Sequence, residues 1–183
     1  TVNRPAFIIQ HPCTFVNCYF DADSTSSTVG TVQLYGFDHS IFIGCVIRGA
    51  VGIYDAHIAA SALTVQNCIF TDGSSQAMIT GLSTDLISGA SEAKQFTVSQ
   101  STFYGFSQEA IEIRALPPLT DKTTSTIISN NIFYGSSATN GIHISDTSHT
   151  VGPMIVGNAY GGVTNQIRGG GINFPNFDAV TLT

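Results

Sequence analysis

Tryptophan is absent from the 183 residues, and charge is scarce: Asp, Glu, Lys and Arg make up only 10% of the chain, against about 25% in an ordinary globular protein. Lys and Arg total 6 and the formal net charge is −6, so the basic surface that a nucleic acid needs is missing. No tryptophan means that the strongest aromatic stacking platform is missing too, and tyrosine is left for that role. No apolar run approaches the ~20 residues that span a bilayer, so no membrane insertion is expected. No basic segment followed by an apolar one opens the chain. The four cysteines, at 13, 18, 45 and 68, form no Cys-x-x-Cys and no Cys/His zinc spacing, so neither a metal nor another cofactor is expected. The chain has no Asn-x-Ser/Thr acceptor, and helical periodicity is almost absent.

The chain does contain 43% hydrophobic residues, which argues against disorder and suffices for the core of one domain. Ser, Thr, Asn and Gly fill the polar positions. A short phrase recurs: FVNCYF (15–20), FIGCVI (42–47), TVQNCIF (64–70), TVSQSTF (97–103), IISNNIF (127–133) and MIVGNAY (154–160). Read with a period of two, three inward columns appear. The first is Val16, Ile43, Val65, Val98, Ile128, Ile155. The second is Cys18, Cys45, Cys68, Ser101, Asn131, Asn158, and the third Phe20, Ile47, Phe70, Phe103, Phe133, Tyr160. In the pair Asn130–Asn131 the first side chain is expected outside and the second inside. Cys18, Cys45 and Cys68 read as buried small hydrophobes. Parallel side chains in one column suit neither a disulfide nor a tetrahedral metal.

A second strand follows each phrase after a Gly/Ser/Asp-rich turn: TVQLY (31–35), GIYDA (52–56), AMITG (77–81), AIEIR (110–114), GIHIS (141–145) and a weaker QIRGG (166–170), with AFIIQ (6–10) before them all. Its inward positions read Phe7, Val32, Ile53, Met78, Ile111, Ile142, Ile167 and Ile9, Leu34, Asp55, Thr80, Ile113, Ile144. Copies recur every few tens of residues with strands of only four to seven. That spacing predicts a solenoid, an all-β parallel β-helix of about six to seven coils, as one domain over 1–183. Like side chains would then lie about 4.8 Å apart along the axis. The Gly/Pro/Phe-rich stretch 169–183 is expected to be a C-terminal cap or extension. Open sheet edges need covering, so the chain is expected to be a fragment or subunit of a larger assembly.

The pattern I-x-N-N-x-F…N-G-I-x-I, carried over about residues 6–170, resembles the right-handed parallel β-helix repeat of the pectate-lyase-like superfamily and of phage tailspikes. In that family asparagines stack at an inner turn. Asn131 and Asn158 match that position, whereas Cys18, Cys45, Cys68 and Ser101 depart from it.

Two outer surfaces carry the candidate sites. Along the first phrase, Phe15, Tyr19, Phe42, Val46, Ile69, Ile127, Ile132 and Met154 form an apolar outer patch, expected to be an oligomer interface. The resemblance to phage spikes implies a homotrimer. Along the second strand, the outer column reads Ile8, Gln33, Tyr54, Ile79, Glu112, His143, Arg168. Glu112, His143 and Arg168 on successive coils are the candidate catalytic row, a carboxylate, an imidazole and a guanidinium capable of acid/base work. The alternative is a solvated ladder of alternating charge. Tyr54 and Arg114 are candidate ligand contacts. So are Asp85, Glu92, Lys94, Asp121 and Lys122, on two long neighbouring connections, 82–96 and 115–126. Glu109 is read as lying in the turn.

Three functions stay open. The favoured one is a structural or host-recognition domain of a phage tailspike or fibre, in the virion tail or otherwise extracellular, binding a cell-surface polysaccharide. The second, implied by the family resemblance, is a polysaccharide lyase or glycoside hydrolase. Against it, the paired aspartates and Gly-His-Gly of polygalacturonase-like enzymes do not occur, and the balance leans away from an enzyme. The third is a bacterial surface adhesin.

Overall fold

The structure, a computed structural model, describes residues 7–22, 31–34, 39–49, 52–55, 62–72, 79–83, 95–115, 125–144, 154–169 and 180–181. Regular structure among them is all strand. Three faces wind around one interior. The first face is Thr14–Val16, His39–Ile43, Ala62–Gln66, Gln95–Ser99, Ser125–Ser129 and Met154–Val156, each paired in parallel with the next. The second is Tyr19–Asp21, Val46–Arg48, Ile69–Thr71, Thr102–Tyr104 and the opening parts of Ile132–Ile144 and Ala159–Gly169. The third is Phe7–Ile9, Val32–Leu34, Ile53–Asp55, Ile79–Ser83, Glu109–Ala115 and the closing parts of the same two long strands. Val180–Thr181 extends the second face beside Ala159 and Tyr160. The chain is therefore the parallel β-solenoid that its repeats predict. Short runs of β-branched and aromatic residues make strands because they fit a pleated, half-buried surface, and each strand finds its partner one coil away.

The bend between the first and second faces is identical in design at every coil. An inward residue is followed by an outward one, then by a residue in the left-handed region, then by an inward residue again. The left-handed positions are Asn17 (φ 54°), Gly44 (63°), Asn67 (53°), Gln100 (52°), Asn130 (55°) and Gly157 (67°). Asparagine and glycine tolerate this conformation best. At Gly44 and Gly157 there is a second constraint: a Cβ there would collide with the Asn17 and Asn130 side-chain oxygens.

This bend breaks the alternation of period two, and it corrects the first column. Phe15 pairs with Phe42, Phe42 with Val65, and the line continues through Val98, Ile128 and Ile155. Phe42 is buried and Phe15 packs against the core, while Val16 is 54% exposed. Phe15 and Phe42 thus belong to the interior rather than to an outer patch. A similar one-residue slip, which exchanges the two faces of a strand, corrects the second-strand columns. Ile79, not Met78, pairs with Ile53 and Ile111, and Thr80 is in register with Tyr54 and Glu112; Met78 lies outside the described residues.

The third column holds the centre of the core. The rings of Phe70, Phe103, Phe133 and Tyr160 stack with centroids 4.7, 5.0 and 5.1 Å apart. Each such pair adds about 0.5–1.5 kcal/mol beyond burial alone. Ile47 interrupts the column, and at the far end Phe7, Phe15, Phe20 and Phe42 pack mostly edge to face.

Beside that column the inner corner forms a hydrogen-bonded ladder. Asn158 Oδ1 accepts from the Asn131 backbone N–H at 2.9 Å, Asn131 Oδ1 from the Ser101 N–H at 2.9 Å, and Ser101 Oγ from the Cys68 N–H at 3.0 Å. Cys68 Sγ accepts from the Cys45 N–H at 3.4 Å. Each amide also donates inward: Asn158 Nδ2 to the Ile128 carbonyl and Asn131 Nδ2 to the Val98 carbonyl, both at 3.0 Å. Cys68 and Cys45 donate to the equivalent carbonyls, those of Phe42 and Phe15, at 3.5 Å. Sulfur and amide fill one role at one position. Burial pushes the Cys68 thiol up to about 11 from its ordinary 9.0, so it remains a thiol near neutral pH.

Candidate ligand-binding face

Alternation on the third face sends Ile111 and Ile142 into the core and turns Glu112 and His143 outward. The parallel register then sets Glu112 beside His143 and His143 beside Arg168. The three residues of the predicted row are adjacent. Outward does not mean solvated here, because Glu112 is only 3% exposed and Gln33, in the same column, 7%. His143 is partly buried and Arg168 is exposed. The row therefore runs from a shielded carboxylate to an open cation.

A second row lies three residues earlier on each strand, in Glu109, Asn140 and Asn165, which are again in register. Asn165 Nδ2 donates to Asn140 Oδ1 at 3.0 Å, and Asn140 Nδ2 donates to Glu109 Oε1 at 2.9 Å. Asn140 is fully buried, so its bond to Glu109 forms away from water, where such bonds hold geometry best. His143 ties the rows together: its Nδ1 is 3.5 Å from Glu112 Oε1 and 3.8 Å from Glu109 Oε1. Glu109 does not sit in a turn; it opens Glu109–Ala115 and faces the imidazole. The signal for it was present in the sequence as EAIE, NGIH and NQIR, a repeated polar–x–Ile–polar phrase.

Two carboxylates converging on one imidazole nitrogen can hold a proton and hand it on, provided that a reacting group comes within hydrogen-bond reach. Arg168, with its fork of donors, suits a carboxylate or a pair of hydroxyls. Among the described residues no three His, Cys, Asp or Glu side chains are placed to hold a metal. Tyr54 is in register with Thr80 and, two coils on, with Glu112. Arg114 pairs with Leu82 of the neighbouring strand Ile79–Ser83. Asp85, Glu92, Lys94, Asp121 and Lys122 lie outside the described residues.

The expected apolar patch divides at the left-handed bend. Ile127 and Met154 lie outward on the first face, and Met154 is 49% exposed. Tyr19, Val46, Ile69 and Ile132 lie outward on the second, with Tyr19 60% and both Ile69 and Ile132 45% exposed. The second face also carries Tyr104 and Tyr134, which the repeat alignment passed over. Both are exposed, and their rings stack at 5.8 Å and 13°. At its other end Arg48 pairs with Asp21 and Asp72 from the coils on either side. The hydrogen bond to Asp72 and then the charge of Asp21 hold the guanidinium above its ordinary value, though at this exposure such pairs stabilise little.

The geometry thus defines a class, the parallel β-solenoid with a polar row on one outer face. It leads to no particular relative: no protein-family model, no curated protein and no solved structure matches the chain.

Proposed function

We propose that the chain is a recognition domain of an extracellular or virion-borne appendage, comparable to the β-helix of a phage tailspike, and that its third face binds a cell-surface polysaccharide. The observation that carries this reading is the double row Glu109–Asn140–Asn165 and Glu112–His143–Arg168. Its open end presents the exposed Asn165 and Arg168, an amide and a cation, to a ligand, and the shielded Asn140, Glu109, His143 and Glu112 behind them follow at intervals of about 4.8 Å along a rigid axis. Sugars are rich in hydroxyls and present matching donors and acceptors. Parallel strands hold these groups in place before any ligand arrives, which lowers the ordering cost of binding. The test is calorimetric titration with a panel of bacterial capsular, lipopolysaccharide-derived and plant polysaccharides. Arg168→Ala and Glu109→Gln are each expected to weaken binding at least tenfold with an unchanged circular dichroism spectrum. Binding that is indifferent to both substitutions would sink the reading.

One observation favours a second reading, a polysaccharide lyase or glycoside hydrolase. It is the pair of carboxylates within 4.0 Å of a single imidazole nitrogen, an acid/base arrangement rather than a purely adhesive one. Release of reducing ends, or of unsaturated product read by ultraviolet absorbance, would support it if His143→Ala abolished the activity.

A further inference from the structure

The outer side of the second face is apolar and has no partner among the described residues, and we infer that it is a twofold interface on which a second copy of this chain packs with its solenoid axis antiparallel. This inference is independent of the polysaccharide reading. Five large side chains, Tyr19, Ile69, Tyr104, Ile132 and Tyr134, are each between 45% and 60% exposed on this one face. At about 150–250 Å² for a whole aromatic side chain, they leave on the order of 500 Å² in contact with water. With the half-buried Val46, Thr102 and Ala159 between them, two such faces together approach the ~1,200 Å² at which specific interfaces begin. The composition is that of an interface core, rich in tyrosine and poor in charge; the charges that are present, Asp21, Arg48 and Asp72, sit at one end.

The order of side-chain sizes selects the orientation. One outward column runs Tyr19, Val46, Ile69, Thr102, Ile132, Ala159, and its neighbour runs Asp21, Arg48, Thr71, Tyr104, Tyr134, Gly161. A twofold axis along the strand direction, between the third and fourth coils, sets each column against itself reversed. Tyr19 then meets Ala159, Ile69 meets Thr102, and Val46 meets Ile132. In the other column Tyr104 meets Thr71 and Asp21 meets Gly161. Tyr134 lies under Arg48, a cation over an aromatic face. At nearly every level a large side chain opposes a small one. A twofold axis along the solenoid sets each coil against itself instead, so that Ile132 meets Tyr134 while Ala159 meets Gly161. That arrangement collides at one coil and gapes at the next, and the interface needs the first arrangement because an isologous contact must complement itself.

The mass of the native chain, measured by light scattering across a concentration series, is expected to be that of a dimer. Tyr134→Asp and Tyr104→Asp should each shift the midpoint of dissociation upward at least tenfold while leaving the circular dichroism spectrum and melting midpoint of the monomer unaltered. A double variant, Tyr19→Cys with Ala159→Cys, supplies the orientation test. The two positions lie five coils apart in one chain, about 24 Å, and can join only between antiparallel copies. Oxidation should produce a covalent dimer from the double variant and not from either single variant. A monomer at high concentration, a trimer, or a dimer indifferent to both aspartate substitutions overturns the proposal. So does a double variant that stays uncrosslinked while the dimer persists.

Discussion

The two halves of the inner corner perform one task with different chemistry. From Ser101 to Asn158 the rungs are oxygen and amide, with hydrogen bonds of 2.9–3.0 Å. From Cys18 to Cys68 they are thiols, and the corresponding contacts lengthen to 3.4–3.5 Å. The backbone offers an N–H at each coil and a carbonyl beside it, that of the preceding coil for Asn158, Asn131, Cys68 and Cys45 and that of Ser99 for the shorter Ser101, so the fold specifies a small side chain that accepts on one side and donates on the other. Amides meet that demand strongly. Thiols meet it weakly but add apolar bulk in an interior closed to water. A buried N–H without any acceptor costs about 1–3 kcal/mol, which is why even a poor acceptor is preferable to none.

The comparison breaks most visibly at Asn131. Asn131→Ala removes the acceptor of the Ser101 N–H and the donor to the Val98 carbonyl, and should cost about 3–4 kcal/mol in a urea titration, two unsatisfied groups at the usual penalty. Next in size is a dependence on alkaline pH that only the thiol half can show. The folded-state value of Cys68 is raised, so its contribution is fully present below the ordinary thiol value of 9.0 and is lost as pH rises through about 11. The loss should reach about 2 kcal/mol. Tyr160, also raised by burial, adds to the fall at still higher pH. Denaturation midpoints of Cys68→Asn between pH 8 and 11 should decline less than those of the native chain. At neutral pH, Cys68→Ala should cost about 1–2 kcal/mol and Cys68→Asn less than about 1 kcal/mol, because asparagine can reach the Phe42 carbonyl just as Asn131 reaches that of Val98. Should the asparagine variant prove the worse of the two, the equivalence of the halves fails. The smallest effect belongs to the outer bend. Gln100 is neither asparagine nor glycine at its positive φ, and Gln100→Gly should stabilise by about 0.5 kcal/mol, read as a small rise in melting midpoint.

Much of this was legible from the amino acids alone, and the failures share one cause. The columns Cys18 to Asn158 and Phe20 to Tyr160 were readable because both lie downstream of the bend, where alternation runs undisturbed. Phe15 and Phe42 were misplaced because the alternation was carried across a left-handed residue, which shifts it by one. The run Asn17, Gly44, Asn67, Asn130, Gly157 carries the composition of that conformation and marks where counting must restart. Met78 took the place of Ile79 because a strand boundary was set one residue early. Glu112, His143 and Arg168 were found together because the third face is straight where they stand, and Glu109 was missed because a Gly/Ser-rich neighbourhood was taken for a turn. Tyr104 and Tyr134 follow the last aligned aromatic and so fell outside the repeat.

The left-handed bend has a consequence for engineering. Because it recurs once per coil, with a left-handed residue between the same two faces each time, it is a natural splice joint. Joining Gln100 directly to Asn131 would remove one whole winding of 30 residues and bring like walls together. A molecule of this build can be lengthened or shortened in whole rungs, as a ruler is cut at its marks, without redrawing the parts that remain.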